Sequence, residues 1–151
     1  MKLNLSSRKL AAAILFLSAT AALADKADPV FKDGSGVAIR GYDPVAYFTD
    51  QKPVKGSEQF THTWMGATWR FASAAHRDQF AADPAQYAPQ FGGYCSYAVS
   101  KGRTASIDPE AWRIVEGKLY LNYSKDVQKT WAQDVPGNIQ KADQNWPGLH
   151  K

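Results

Sequence analysis

The side chains with the widest chemical range in this sequence are one cysteine and three histidines. Cys95 is the sole thiol, and the imidazoles belong to His62, His76 and His150. Thiolate sulfur and imidazole nitrogen are ligands for copper or zinc, and a thiolate is also a nucleophile. A single cysteine can form neither a disulfide within the chain nor a dithiol redox pair. Any redox cycle at Cys95 therefore needs a thiol from another molecule.

The segment around Cys95, residues 91–102, favours a short helix. Two glycines precede the cysteine, and a lysine followed by a glycine ends the segment, a composition typical of helix ends. The alternation of the same residues would also allow a strand. In a helix, Cys95 lies in the first turn, where free backbone N–H groups stabilise a thiolate over a thiol. The alternative is that Cys95 packs as a small apolar side chain between Tyr94 and Tyr97.

A soft-metal site formed by Cys95, His76 and His62 is the leading interpretation of these residues. Sulfur with imidazole suits copper or zinc better than calcium or magnesium. The donor atoms of one site must lie within roughly 4 Å of one another, and the sequence spacing does not establish this. Met65, in a predicted turn, and His150, near the end of the sequence, are further donors. Without a metal, His62 and His76 are structural histidines with hydrogen-bond partners inside the fold.

Two other function classes stay open beside metal handling. Cys95 could be the nucleophile of a thiol oxidoreductase or a peroxide-reactive protein. Alternatively, the chain is a structural or interaction protein that buries Cys95. Hydrolase and nucleotide-binding classes are disfavoured, because the sequence has no Gly-x-Ser-x-Gly elbow, no evident acidic partner for a histidine and no phosphate-binding glycine loop. The sequence thus favours a binding protein over an enzyme.

Two hairpins, the first with an aromatic face and each followed by a helix, are predicted to position these residues. The first alternates over residues 60–71 around Met65-Gly66, and the second over 112–123 around Glu116-Gly117. Ser73 and Ser124 are predicted to cap the helices that follow, the first of which carries His76 over residues 74–82. Further predictions are a short strand at 37–40, a helix or turn start at Asp43-Pro44, and a last helix after Pro136-Gly137. The order predicts an α+β domain with a small antiparallel sheet covered by helices.

The first 24 residues have the order of a cleavable signal peptide. Lys2, Arg8 and Lys9 precede an apolar run that ends in Ala-Leu-Ala at 22–24. The sequence therefore predicts export to the periplasm of one domain, residues 25–151, without a membrane-spanning segment. Of 18 basic and 14 acidic residues in the chain, 15 and 14 remain after the leader. This balance argues against nucleic acid as a partner and leaves a metal ion or a periplasmic protein.

Several motifs together resemble the YHS domain, and in particular the exported bacterial proteins that consist of little else. The motifs lie at residues 41–48, 66–73, 76–80, 92–95 and 119–123. The resemblance implies a small hairpin-and-helix unit akin to treble-clef metal modules. It also implies an association with metals, copper in particular.

The sequence departs from that family's metal-binding pattern at two of three positions. The positions that correspond to the family's ligands are Ala46, Ala72 and His76, and alanine cannot bind a metal. A site with about four nitrogen or sulfur donors therefore cannot be carried over from the resemblance. The donors that this chain offers in their place are Cys95, His62 and His76 inside the domain, with His150 and Met65 besides.

Overall fold

Residues 25–151 are described by a computed structural model of the protein, and the predicted leader at 1–24 lies outside them. Two β-hairpins alternate with short helices along these residues. The strands are β1 (Ser57–Trp64), β2 (Ala67–Phe71), β3 (Asp108–Val115) and β4 (Lys118–Asn122). The helices are α1 (Ala46–Thr49), α2 (Ala74–Ala82), α3 (Pro84–Tyr87), α4 (Ser96–Ser100), α5 (Lys125–Trp131) and α6 (Val135–Leu149). The predicted α+β class is confirmed.

Each hairpin turns on two residues with positive φ. Met65 and Gly66 have φ of 49° and 72°, and Glu116 and Gly117 have φ of 51° and 75°. Two-residue turns of this kind match the right-handed twist of paired strands, which is why both predicted hairpins form where expected. They form two separate two-stranded sheets, whereas the sequence analysis expected one sheet.

The free edge of β2 is occupied by an earlier segment of the chain. Val37 forms a parallel bridge with Thr68, and the N–H of Ala38 donates to the Thr68 carbonyl at 2.9 Å. The strand predicted at 37–40 is limited to these single bridges. It ends because Ile39, Arg40 and Gly41 all have positive φ and form a 3₁₀ turn. Thr68 therefore bonds to this segment and not to the second hairpin.

The core consists of two aromatic clusters. In the first, the Phe80 ring of α2 lies 5.1 Å from both Trp69 and Phe71 of β2. In the second, Tyr120 of β4 lies 5.7 Å from Trp131 of α5. Burying each such ring stabilises the fold by about 1.5–3 kcal/mol. These rings hold the helices against the hairpins that precede them.

Serine side chains begin the helices that follow the hairpins, as predicted. Ser73 Oγ accepts a hydrogen bond from the His76 N–H, and Ser124 Oγ accepts one from the Val127 N–H, both at 3.1 Å. The cysteine segment is also helical, since α4 begins at Ser96. Cys95 is the residue that precedes the first helical turn, one position earlier than predicted.

The two ends of the described chain meet. Ala27 forms a parallel bridge with His150, in which the Ala27 N–H donates to the Leu149 carbonyl and the Lys151 N–H donates to the Ala27 carbonyl, at 2.9 and 3.0 Å. This pairing fixes the residues after α6 against the start of the domain. Among residues 25–151, no helix has the length and apolar character needed to cross a membrane.

Candidate functional site

The Cys95 sulfur lies between the start of α4 and the end of β4. It accepts a hydrogen bond from the Tyr123 N–H at 3.2 Å. Its S–H donates to Asn122 Oδ1, with 3.6 Å between sulfur and oxygen. The Cys95 N–H donates to the Ala105 carbonyl at 3.1 Å. Cys95 is 1% exposed, so its side chain is held from several sides.

Asn122 is the most constrained polar neighbour of the sulfur. It is fully buried, and its Oδ1 also accepts a hydrogen bond from the Tyr97 N–H at 3.0 Å. This bond fixes the orientation of the carboxamide, because the reverse orientation would direct an NH₂ group at an N–H donor. Nδ2 is thereby left without a partner within the described residues. An unused buried donor is costly, and here it belongs to a group that contacts the thiol.

A cavity of about 270 Å³ lies beside Cys95. Cys95 forms part of its wall. The other lining residues come from α4, the loop after α4, the residue after β4 and α5: Tyr97, Ala98, Arg103, Ala105, Tyr123 and Val127. Arg103 is the one charged residue of this lining. Arg103 and Tyr123 are exposed, so the cavity reaches the surface although Cys95 itself is nearly covered.

Cys95 belongs to the first core cluster, and Tyr97 packs against that cluster. Tyr97 lines the same cavity as the thiol. Tyr94 contacts Phe31 and Trp146 instead, at ring distances of 5.6 and 5.9 Å. One side of Cys95 therefore faces a cavity and not a second ring.

His76 forms a second cluster, which shares no residue with the lining of the cavity beside Cys95. Its Nδ1–H donates to Asp43 Oδ2 at 2.6 Å, and its Nε2 lies 3.2 Å from the Thr49 hydroxyl. Asp43 is fully buried. The sequence analysis did not find this acidic partner, because Asp43 lies 33 positions before the histidine and was read only as a helix or turn start.

Asp43 also organises the backbone around it. Its Oδ1 accepts the N–H groups of Val45 and Ala46, at 2.9 and 3.2 Å, and its Oδ2 accepts the N–H of Ala72 at 2.9 Å. One carboxylate thus joins the start of α1, the end of the first hairpin and α2. Asp43-Pro44 was the sequence signal for the bonds to α1, since an Asp before a helix accepts hydrogen bonds from the N–H groups of the first turn.

The order hydroxyl, imidazole, carboxylate resembles the catalytic triad of hydrolases. That chemistry also needs N–H donors for an oxyanion. The N–H groups of Thr49 and Asp50 donate instead to the carbonyls of Val45 and Ala46, at 3.1 and 2.8 Å. The cluster therefore acts as a structural junction.

His62 occupies a third position. It lies on β1 opposite Trp69, and its ring meets the edge of Phe80 at 6.1 Å. Across residues 25–151, no three His, Cys, Asp or Glu side chains are grouped so that they could hold a metal ion. The structure therefore does not bring Cys95, His76 and His62 together.

Comparison with known families identifies part of the chain. Residues 45–91 match the family model of the YHS domain, from the residue before α1 to the loop before Cys95. No curated protein and no solved structure gives a significant match to the chain. The cavity beside Cys95 is lined by residues that follow the matched segment.

Proposed function

We propose that the residues after 45–91, the segment that matches the YHS domain, form a thiol site that reacts with small hydroperoxides. The YHS domain is often linked to metal handling. The observation that carries the proposal is the position of Cys95 in the wall of a cavity that opens to solvent. This is the thiol-reactive alternative of the sequence analysis, and it needs only one cysteine.

The polar groups around the sulfur suit an oxidised cysteine. A hydroperoxide ROOH transfers one oxygen to the thiol, which becomes a sulfenic acid, and is itself reduced to the alcohol ROH. The oxygen added to sulfur is a hydrogen-bond acceptor. Asn122 has an unused Nδ2–H₂ donor in the same carboxamide whose Oδ1 contacts the thiol. Oxidation of Cys95 would thus offer an acceptor oxygen to the Asn122 Nδ2–H₂ group, which has no partner in the reduced protein.

Arg103 supplies the charge that this reaction needs. The guanidinium is the one cation of the cavity lining, and no carboxylate lines the cavity to oppose it. A positive charge stabilises the thiolate that attacks the peroxide and the oxyanion that leaves. To close the cycle, two molecules of an external thiol reduce the sulfenic acid, forming one disulfide and one water.

We expect the purified protein to form one sulfenic-acid adduct with dimedone after treatment with hydrogen peroxide or cumene hydroperoxide. Cys95→Ser forms none, because the chain has no other thiol. Arg103→Gln slows adduct formation about two- to fivefold, the effect of one partly solvated charge. The measurement is the rate of adduct formation by mass spectrometry.

Arg113→Gln is the matched control, since Arg113 is also exposed but lies on β3, outside this cavity. Its adduct should form at the wild-type rate. Equal rates for the two arginine variants, or a Cys95 that reacts no faster than free glutathione, would contradict the proposal.

The YHS match favours a second candidate, in which Cys95 binds copper(I) or zinc as cargo. The cavity contains one soft donor, so the ion would be shared with a donor from a partner protein. This candidate predicts metal uptake that Cys95→Ser abolishes and that His62→Gln and His76→Gln leave unchanged. Titration with copper(I) against a competing chelator separates it from the peroxide reaction, which requires no metal.

A further inference from the structure

The mouth of the cavity beside Cys95 carries positive charge. Arg103 lines the cavity and forms no salt bridge among residues 25–151. The ammonium of Lys101 lies 5.1 Å from the centre of the Tyr97 ring, which belongs to the same lining. An anion that enters this cavity therefore meets two cations and no carboxylate.

Two acidic residues lie just outside this lining, and each has a basic neighbour. Asp126, on α5, lies 3.9 Å from Lys129. Asp108 lines an adjoining cavity, which shares Tyr123 with the first and also contains Arg40. These pairs add no net charge, so the two cations at the mouth are left in excess.

The backbone returns from α4 to the cysteine in a way that places Arg103 near it. The Arg103 N–H donates to the Ala98 carbonyl, and the Cys95 N–H donates to the Ala105 carbonyl, both at 3.1 Å. Two residues of chain span at most about 7 Å, so the Cα of Arg103 lies no farther than that from the Cα of Ala105. A molecule bonded to the Cys95 sulfur can therefore place a second group against the guanidinium.

Two buried polar groups beside the thiol have no partner within the described residues. They are the Ser96 hydroxyl, in the residue that follows Cys95, and the Nδ2–H₂ group of Asn122, whose Oδ1 contacts the sulfur. Both residues are 0% exposed. Buried polar groups are nearly always hydrogen-bonded. Donors in this position suit a polar reactant at the sulfur.

Access to the sulfur selects a small reductant. Cys95 is 1% exposed, and the two Cα atoms of a disulfide lie about 4.4–6.8 Å apart. A cysteine of another folded protein would have to bring its main chain inside the wall that Tyr97, Ala105 and Val127 help to form. A small thiol has to insert only its S–H group and the carbon beside it.

We propose that the thiol that reduces oxidised Cys95 is a small molecule with a carboxylate, which Arg103 binds, and not a cysteine of another protein. This rests on the proposed function, because it concerns the second half of the same cycle. The first thiol attacks the Cys95 sulfur: an S–S bond forms, the S–O bond breaks, and the hydroxide leaves as water with the proton of that thiol. A second thiol attacks the outer sulfur of the mixed disulfide. It releases the small disulfide, and its proton returns Cys95 to the thiol.

The test starts from protein oxidised with one equivalent of hydrogen peroxide and freed of the excess. The probes are 3-mercaptopropionate and 2-mercaptoethanol, which have the same two-carbon chain and differ in the carboxylate. The sulfenic acid that remains is trapped with dimedone and measured by mass spectrometry. Arg103→Gln should lower the ratio of the 3-mercaptopropionate rate to the 2-mercaptoethanol rate about two- to fivefold, the effect of one partly solvated charge. Arg103→Lys should keep most of the ratio, and added salt should lower it in the wild type.

Arg113→Gln is the matched control and should keep the wild-type ratio, because Arg113 lies outside this cavity. Equal ratios in the wild type and Arg103→Gln would overturn the proposal. So would reduced thioredoxin, a protein thiol, if it removes the sulfenic acid faster than 3-mercaptopropionate does at the same thiol concentration.

Protein that forms no sulfenic acid would contradict the peroxide reaction alone. Recognition of the carboxylate is then measured by exchange of reduced Cys95 with the disulfides of the same two probes, dithiodipropionate and bis(2-hydroxyethyl) disulfide. Arg103→Gln should lower the ratio of these two exchange rates by the same about two- to fivefold. An unchanged ratio there would overturn the recognition by Arg103.

Discussion

Replacing Asp43 with Asn should lower the free energy of unfolding by about 2–4 kcal/mol, from the loss of hydrogen bonds to a buried charge. The carboxylate accepts four hydrogen bonds, two on each oxygen. An Asn of the same shape places an NH₂ group against one pair of these donors in either orientation. In one orientation the N–H groups of Val45 and Ala46 lose their acceptor. In the other the Ala72 N–H loses its acceptor, and His76 keeps a bond only by moving its proton to Nε2. Such a loss is a large part of the 5–15 kcal/mol that stabilises an ordinary domain.

Urea unfolding followed by tryptophan fluorescence measures this difference. Asp50→Asn is the matched control, because Asp50 is exposed and accepts one hydrogen bond, from the Thr49 hydroxyl. Its effect should be within about 0.5 kcal/mol of zero, as for most surface changes. If the two variants unfold at the same urea concentration, Asp43 is not the junction described above.

Gly92→Ala should destabilise the protein by about 2–5 kcal/mol, the sum of a left-handed backbone and a steric overlap. Gly92 has φ of +63°, and a β-carbon there would overlap the Pro29 carbonyl oxygen. The Gly92 carbonyl also accepts the Phe31 N–H at 2.9 Å. The substitution therefore separates the start of the domain from the loop before Cys95.

Gly102→Ala is the control that carries only the backbone part of that effect. Gly102 also has positive φ, +82°, but a β-carbon there would contact nothing within 4 Å. It should cost only the backbone term of about 1–2 kcal/mol. Thermal or urea unfolding of both variants gives the difference. A Gly102 variant as unstable as the Gly92 variant would show that close approach to Pro29 is unimportant.

Local features of the fold could be predicted from the sequence. Both hairpins follow from alternating aromatic residues around Met65-Gly66 and Glu116-Gly117, since turn and strands lie within a dozen residues. The caps at Ser73 and Ser124 depend on an N–H group three positions away. The prediction of a single sheet depended on the long-range pairing of β2, which Val37 and its neighbours take up instead.

The candidate sites depend on contacts that no local pattern encodes. Asp43 meets His76 only because α1 and α2 dock on the same hairpin end. Asn122 reaches Cys95 from 27 positions away, so the helix at α4 could be predicted but its polar neighbour could not. The proposed metal ligands Cys95, His76 and His62 were chosen by residue type, and type alone does not bring side chains together.

The meeting of Ala27 and His150 has a consequence for the order in which the described residues fold. A contact between the first and last described segments closes a very long loop, and such contacts are slow to form. Each hairpin instead turns on two residues and closes almost no loop. We therefore expect both hairpins to form before Ala27 pairs with His150.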